Sequence, residues 1–407
     1  MTTTFPSSET SFVIPAGFRW AGIPAGIKYK DRRDFGICIA DKRCATAAVF
    51  TQNQFAAAPV QLSRQVLERS VGFAQGIVVN SGCANAATGK EGLQNARGMA
   101  AFAAAAFGLD STTPLLVCST GTIGTQLPMP AIHAAVDKTV AAASASATAF
   151  MDFATSILTT DTCHKIASTS FQLDGQEVRI LACAKGSGMM QPKMATMLAF
   201  LFTDAQMDPI ALQECLSHAN ERSLNCVTVD GDTSTNDTAI LMASGSSGAD
   251  TSRSHAREMF SEALLQVLQS VSKQLARDGE GASKLIEVEV RGAHDFISAR
   301  SCALAVANSP LVKTAVYGRD ANWGRIAMAI GNANVPFQVD NVTISLGDLV
   351  LFQAGAPLPF DEAEALAILT EDFVRINVEL GTGAEGATVW TCDLTERYIE
   401  INGSYRT

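Results

Sequence analysis

Residues 185–205 read KGSGMMQPKMATMLAFLFTDA, and the interpretation of the whole chain starts from this stretch. It opens with Lys185 in a glycine-rich turn that carries one fixed positive charge. An apolar run over 197–202 follows and predicts a buried core segment, in which methionine commonly fills gaps. A core segment alone, however, requires neither the Gly-x-Gly turn nor the two lysines that precede it.

The peptide bond between Ala195 and Thr196 is the chemically distinctive position in this stretch. The small side chain of Ala195 leaves the bond uncrowded, so the Thr196 hydroxyl can attack the preceding carbonyl and form an ester that water cleaves. The freed α-amine of Thr196 has an unperturbed pKa of about 7.7–8.0 and can act as a base near neutral pH. The sequence therefore predicts a nucleophile and its base on one N-terminal threonine.

This block, K-G-S-G-M-M-x-P-x-M-A-T-M-L-x-F-x-x-T-D-A, resembles the signature of the ornithine acetyltransferase (ArgJ) family of arginine biosynthesis, also called glutamate N-acetyltransferases. The resemblance implies self-cleavage between Ala195 and Thr196. Residues 1–195 would form an α chain and 196–407 a β chain, intertwined in one globular unit and assembled as an α2β2 heterotetramer. Lys193 stands where the family commonly has asparagine. This difference could alter the rate of cleavage, but it leaves the reacting residues Ala195 and Thr196 unchanged.

Composition bounds the class of protein. The 407 residues are 47% hydrophobic and 17% charged, which describes a globular chain with a large core. A net charge of −10 argues against a nucleic-acid partner. The ten cysteines form no C-x-x-C pair, which favours reduced thiols, and we find neither a secretory signal nor a membrane-spanning run. We expect a cytoplasmic protein with no membrane partner.

Two small-residue loops follow predicted buried strands. The loop 81–89 comes after the strand 76–80. Two interpretations of it remain open: an ordinary tight turn, or a segment in which Asn80 to Asn85 help to line the site. The loop 119–124, S-T-G-T-I-G, comes after the strand 115–118. Acyl transfer needs donors aimed at the developing oxyanion, and the resemblance assigns that role to Thr120 and Gly121.

Other motifs supply candidate substrate-binding residues by the same resemblance. T-T-D-T ends a predicted helical region over 130–158 and implies a substrate contact by Thr159, with Thr162 as the alternative. D-G-E-G-A follows a predicted amphipathic helix over 254–277 and implies that Glu280 pairs with an amino group of ornithine. Lys185 would bind the substrate carboxylate. The tail implies substrate contacts by Asn402 and Thr407, so we expect it to be ordered against the site.

The acidic segment around Asp230 and Asp232 raises the question of a metal site. Its D-x-D spacing suits a hard cation, but an EF-hand loop would also need a glutamate at position twelve. We expect a hydrogen-bonded loop here and no metal, in agreement with the resemblance.

The predicted elements mix strands with alanine-rich helices, which indicates an α/β or α+β fold. We expect strands over 35–40 and 45–50, a hairpin of 168–173 with 177–183, a helix over 361–380, and a closing hairpin of 387–393 with 398–401. The resemblance implies a layered sandwich with β-sheets between helices, of the DmpA/ArgJ type with an N-terminal nucleophile.

The expected activity is transfer of the acetyl group of N2-acetyl-L-ornithine to L-glutamate through an acetyl-threonine, with no cofactor. Acetyl-CoA is a second candidate acetyl donor, which would make the enzyme bifunctional. One alternative is a related self-cleaving amidohydrolase or aminopeptidase, which would hydrolyse the acyl-enzyme. The other is a protein without enzymatic activity whose methionine-rich run is only core.

Overall fold

In a computed structural model, the structure describes residues 12–28, 30–191, 197–251 and 253–404. The strands are β1 Phe18–Ile23, β2 Phe35–Phe50, β3 Phe73–Asn80, β4 Leu115–Ser119, β5 Lys165–Leu173, β6 Gln176–Lys185, β7 Leu198–Thr203, β8 Thr238–Ala243, β9 Leu285–Ala293, β10 Thr343–Leu346, β11 Leu349–Gln353, β12 Ala356–Pro357, β13 Phe373–Glu379 and β14 Glu385–Cys392. The helices are α1 Ala58–Arg69, α2 Gly89–Ala106, α3 Met129–Ala142, α4 Ala147–Ser156, α5 Pro209–Glu221, α6 Ser254–Arg277, α7 Phe296–Asn308, α8 Pro310–Tyr317, α9 Trp323–Gly331, α10 Glu362–Thr370 and α11 Glu396–Ser404.

The larger sheet has eight strands among the described residues, in the order β4-β3-β2-β8-β7-β6-β5, with β1 paired to β2. Strand β7 comes from the apolar run of the organising stretch, and all six of its residues are buried. It pairs antiparallel with β6 and parallel with β8. Strands from both sides of position 196 therefore share one sheet, because β7 and β8 lie between β2 and β6.

The smaller sheet has the order β12-β11-β10-β13-β9-β14 among the described residues. Strand β13 lies inside this sheet, antiparallel to β10 and parallel to β9. The sheet is formed wholly by the second half of the chain and packs on the same hydrophobic cluster as α6.

Helices separate and cover the two sheets. Helix α4 packs on one face of the larger sheet, where Phe150 and Phe153 contact Phe202 of β7. Helix α6 contacts β5 and β6 of the larger sheet and β9 and β14 of the smaller sheet, α5 packs on α6 and β2, and α7 packs on β9 and β14. Helices therefore pack on both faces of the larger sheet, and α6 lies between it and the smaller sheet. The expected layered α/β fold with sheets between helices is confirmed.

Several element predictions were correct. Helix α5 begins after Asp208, whose side chain accepts hydrogen bonds from the N–H groups of Ile210 and Ala211 as an N-cap. Helix α6 has the predicted bounds, and β5 and β6 form the predicted hairpin across Asp174 and Gly175, both with positive φ.

Other element predictions were wrong near the C-terminus. The predicted helix 361–380 ends at Thr370, and Phe373–Glu379 forms β13 because its alternating apolar residues enter the smaller sheet. The predicted closing hairpin is also wrong, since Glu396–Ser404 is helix α11. In the first half, the two predicted strands 35–40 and 45–50 are one continuous strand, and the helical region 130–158 is two helices, α3 and α4.

Within the described ranges, the structure has no helix long and apolar enough to cross a membrane.

Candidate active site

Three neighbouring strands carry the candidate site at one end of the larger sheet. Lys185, the last residue of β6, lies opposite Leu198 of β7, and Leu198 lies opposite Thr238 of β8. Thr196 and Ala195, the predicted nucleophile and cleavage position, lie outside the described residues, as does Lys193. Met197, which is covalently bonded to Thr196, directly precedes the first residue of β7 and therefore lies beside these strand ends.

A cavity opens beside these strand ends and brings together six of the predicted site residues. Its lining includes Thr120, Gly121, Thr159, Lys185, Glu280 and Asn402. Met197 and Leu198 also line it, together with residues of the loop before β8. These six residues come from five separate segments between positions 120 and 402, so only the tertiary fold assembles them.

The loop after β4 presents two hydrogen-bond donors to this cavity. Lys185 Nζ donates to Thr120 Oγ1 over 3.3 Å, and because the hydroxyl oxygen accepts there, its hydrogen remains available to a ligand. Gly121 has a φ of +128°, and a Cβ at this position would lie 2.3 Å from the Gly82 carbonyl carbon, so only glycine fits. No backbone carbonyl within the described ranges accepts a hydrogen bond from the Gly121 N–H. This arrangement suits stabilisation of an oxyanion.

Buried amides hold that loop against the loop after β3. Asn80 donates to the Cys83 carbonyl over 2.8 Å and accepts from the Ser119 hydroxyl over 2.6 Å. Asn236 donates to the carbonyls of Ala84 and Ser119 over 2.6 and 2.9 Å. Of the loop 80–85, Ala84 lines the cavity, whereas Asn80 supports it from below. Both loops are therefore rigid, as preorganised donors require.

The two candidate threonines of T-T-D-T have different surroundings. Thr159 lines the cavity, and its N–H donates to Asp161 Oδ2 over 2.9 Å. The Thr162 hydroxyl instead donates to the carboxylate of Asp278, away from the cavity lining. The geometry thus favours Thr159 as the substrate contact.

Glu280 is held at the cavity by neighbours on two segments, the glycine turn at 186–188 and helix α11. Its N–H donates to the Ser187 carbonyl over 2.9 Å. A Cβ on Gly188 would lie 2.3 Å from Glu280 Oε2, so the glycine permits this close approach. Asn402 of α11 donates to Glu280 Oε2 over 2.9 Å, which places the described part of the tail against the site. Thr407 lies outside the described residues.

The charges in the cavity are opposite in sign. Burial lowers the pKa of the Lys185 ammonium, and the negative charge of Asp161 opposes that shift. Lys185 and Glu280 thus offer one cationic and one anionic group, which can bind a carboxylate and an ammonium of the same amino acid.

Asp237 is a cavity residue to which the sequence analysis gave no role. It is 1% exposed, and burial raises the pKa of its carboxyl well above the usual range, although hydrogen bonds from Ser234 and the Met197 N–H oppose the shift. Its Oδ2 atom has no hydrogen-bond partner in the described part of the chain. A neutral carboxyl in the cavity can donate a hydrogen bond through its O–H group, whereas an ionised carboxylate can only accept one.

The acidic loop before β8 forms hydrogen bonds. Asp230 accepts from the N–H groups of Met189 and Met190 over 2.6 and 2.7 Å, which ties this loop to the glycine turn. Within the described ranges, no group of three or more His, Cys, Asp or Glu residues is placed to hold a metal ion. All ten cysteines are free, and Cys163 alone is exposed.

Comparison with known proteins identifies the family of this chain. The ArgJ family model matches residues 19–407. The arginine biosynthesis bifunctional protein ArgJ of Chlorobaculum tepidum is 46% identical over 401 residues, which cover 98% of each chain. The protein of the same name from Geobacillus kaustophilus is 45% identical over 403 residues, covering 98% of this chain and 97% of the relative.

A crystal structure of the arginine biosynthesis bifunctional protein ArgJ of Bacillus halodurans is also similar. It is 44% identical with a TM-score of 0.49, and the match covers 50% of this chain and 96% of the crystallised chain. The family model alone spans nearly the whole sequence, including every segment that lines the cavity. The chain therefore belongs to the ArgJ family.

Proposed function

We propose that this protein transfers the acetyl group of N2-acetyl-L-ornithine to L-glutamate in arginine biosynthesis. The observation that carries the proposal is the single cavity in which Thr120, Gly121, Lys185 and Glu280 meet beside the strand that follows Thr196. Two oxyanion donors, a cation and a carboxylate are the groups that this reaction needs around its nucleophile. Membership of the ArgJ family supports the same activity.

The proposed reaction begins with self-cleavage. The Thr196 hydroxyl attacks the Ala195 carbonyl carbon, the peptide C–N bond breaks, and the nitrogen takes up the hydroxyl proton. Water then hydrolyses the resulting ester, so that residues 1–195 and 196–407 become separate chains. Thr196 is left with a free α-amine, which serves as the base in every later step.

Acetyl transfer then proceeds in two halves. The Thr196 amine takes the hydroxyl proton, and the hydroxyl oxygen attacks the acetyl carbonyl. Thr120 and Gly121 stabilise the resulting oxyanion, and one good donor contributes about 3 kcal/mol of transition-state stabilisation. The ammonium formed on Thr196 protonates the departing ornithine nitrogen. The amine of glutamate then attacks the acetyl-threonine carbonyl, and the Thr196 amine accepts its proton. The ester C–O bond breaks, the Thr196 oxygen takes up that proton, and N-acetylglutamate leaves.

The substrate N2-acetyl-L-ornithine has charges that match the cavity. Its carboxylate would pair with Lys185, and its side-chain ammonium with Glu280. Thr159 would contact the amino acid between these ends. Asn402 supports Glu280 directly, and we propose that Thr407 adds a further substrate contact.

Acetyl-CoA is proposed as a second acetyl donor, because the relatives from Chlorobaculum tepidum and Geobacillus kaustophilus are called bifunctional. No metal or organic cofactor takes part in the proposed chemistry. We also propose that the cleaved chains assemble as an α2β2 heterotetramer in the cytoplasm. The free and mostly buried cysteines suit a reducing compartment.

The test is a transacetylation assay on the purified protein, with Thr196→Ala as the inactive control. We expect N-acetylglutamate to form from N-acetylornithine and glutamate, and Thr196→Ala to abolish it. Release of acetate at the same rate without glutamate would instead identify an amidohydrolase. The absence of both reactions would reject an enzymatic role for this cavity.

A further inference from the structure

A buried ion-pair cluster lies directly behind the cavity and has no part in the proposed chemistry. Lys165 has a side chain with 0% exposure, and it pairs with Asp161 and Asp278, whose side chains are 0% and 6% exposed. A buried lysine is stable only when its charge is paired with an anion and its N–H groups donate hydrogen bonds. We call Lys165, Asp161 and Asp278 the buried triad.

The Asp161 carboxylate of the triad also accepts hydrogen bonds from two segments that carry site residues. Asp161 Oδ2 accepts from the Thr159 N–H over 2.9 Å, and Asp161 Oδ1 accepts from the Gly186 N–H over 2.7 Å. Gly186 directly follows Lys185. The position of the candidate carboxylate-binding group therefore depends on Asp161.

The second carboxylate belongs to the segment of Glu280. The Asp278 carbonyl accepts from the Ser187 hydroxyl over 2.6 Å, and the Ser187 carbonyl accepts from the Glu280 N–H over 2.9 Å. Lys165 thus connects the Lys185 turn with the Glu280 segment, and these are the two ends between which the amino-acid substrate would lie.

Electrostatics support the same connection. Burial acts to raise the pKa of Asp161, but the positive charges of Lys165 and Lys185 and the hydrogen bonds from Lys165 and Thr159 together hold it well below its usual range. The two lysines and two aspartates around this point carry no net charge. Without Lys165, the two buried carboxylates of Asp161 and Asp278 would have Lys185 as the remaining cation of this group. We expect their negative charge to attract Lys185 and draw it away from the cavity.

We propose that Lys165 is a specificity-determining positioning residue, which sets the spacing between Lys185 and Glu280 and thereby the length of the amino acid that the cavity accepts. This inference rests on the proposed function, in which Lys185 and Glu280 bind the two charged ends of N-acetylornithine. One methylene more or less in a substrate pocket typically changes kcat/KM by about 10- to 200-fold. A fixed spacing would therefore separate N2-acetylornithine from N2-acetyllysine, which is one methylene longer.

The experiment compares kcat/KM for N2-acetyl-L-ornithine and N2-acetyl-L-lysine, each with glutamate as acceptor, in the wild type and in Lys165→Met and Lys165→Arg. We expect the ornithine-to-lysine ratio to fall by about tenfold or more in both variants, mainly through a higher KM for the ornithine substrate. Arginine keeps the charge but its planar fork changes the spacing, so charge alone would not restore selectivity.

Ser187→Ala provides a variant that keeps the buried charges. It removes the hydroxyl that binds the Asp278 carbonyl and adds no volume, so it tests the spacing even if the Lys165 variants fail to fold. We expect the selectivity ratio to fall in this variant as well.

Lys284→Met is the matched control. Lys284 is another buried lysine, 6% exposed, whose Nζ donates to the carbonyls of Thr370 and Glu371 and does not line the cavity. We expect it to lower stability and leave the ratio unchanged.

An unchanged ratio in folded, active Lys165 or Ser187 variants would overturn the inference and leave the proposed function intact. A similar fall in Lys284→Met would also overturn it, because the effect would then be one of general stability. A wild type that transfers no acetyl group from N-acetylornithine would overturn the proposed function and this inference together.

Discussion

Glu280→Gln tests how the cavity distinguishes its two substrates. N-acetylornithine ends in an ammonium, whereas glutamate ends in a carboxylate, so in the proposed arrangement Glu280 would attract the first and repel the second. Glutamine has nearly the same shape, and its carbonyl oxygen can still accept the hydrogen bond from Asn402, which spans 2.9 Å in the wild type. The substitution thus removes the charge and retains the local packing.

The expected effect follows from the loss of one charge-assisted hydrogen bond. Such a bond contributes about 1.5–3 kcal/mol, and the partial exposure of Glu280 favours the lower half of this range. A loss of about 2 kcal/mol corresponds to a ~30-fold lower kcat/KM for N-acetylornithine. For glutamate we expect an unchanged or lower KM, because the repulsion disappears.

Steady-state kinetics with each substrate varied in turn separate the two half-reactions. Glu364→Gln, on an exposed position of α10, is the matched control and should behave as the wild type. An equal loss for both substrates would refute the charge argument. So would a variant that keeps the wild-type kcat/KM for N-acetylornithine, because Glu280 would then make no contact with its ammonium.

Two further predictions concern neighbouring residues. Thr120→Val should lower kcat by about 100-fold with little change in KM, since it would remove one of the two proposed oxyanion donors. The assay is the transacetylation rate of the cleaved protein, and an undiminished kcat would contradict the proposed role. Asp237→Asn should gain thermal stability relative to the wild type as pH rises from about 4 towards the raised pKa of the folded-state carboxyl. Over that interval the unfolded wild type releases the Asp237 proton while the folded state retains it, so wild-type stability falls with pH and the variant lacks this loss. Melting temperatures measured across the interval check this, and a constant difference would contradict it.

The segment around Thr196 could be singled out from the sequence because the chemistry predicted for it depends on neighbouring residues. A glycine turn, a small residue before a threonine and an apolar run are all visible in residues 185–205, and the run forms β7 as a buried central strand. The strand before the S-T-G loop was predictable for the same reason, since Leu115–Ser119 is a short apolar run, whereas the oxyanion role of Thr120 and Gly121 stays a prediction.

The supporting residues were not predictable, because their partners are distant in sequence. Lys165 contacts Asp161 four residues away but Asp278 across 113 residues, and nothing in H-K-I distinguishes a buried lysine from an exposed one. Asp237 lies in a polar loop just before β8, where a solvent-exposed carboxylate is equally compatible with the sequence. The strand β13 was mistaken for helix because its place between β9 and β10 decides its conformation.

The intact mass of the purified protein under denaturing conditions, before and after incubation with N-acetylornithine, tests the central claim most directly. The account predicts two chains of 195 and 212 residues (407 − 195 = 212), the second beginning at Thr196. After incubation without glutamate, the 212-residue chain alone should become heavier by one acetyl group, and glutamate should remove it. A single uncut chain of 42.8 kDa that never acquires an acetyl group would contradict the account.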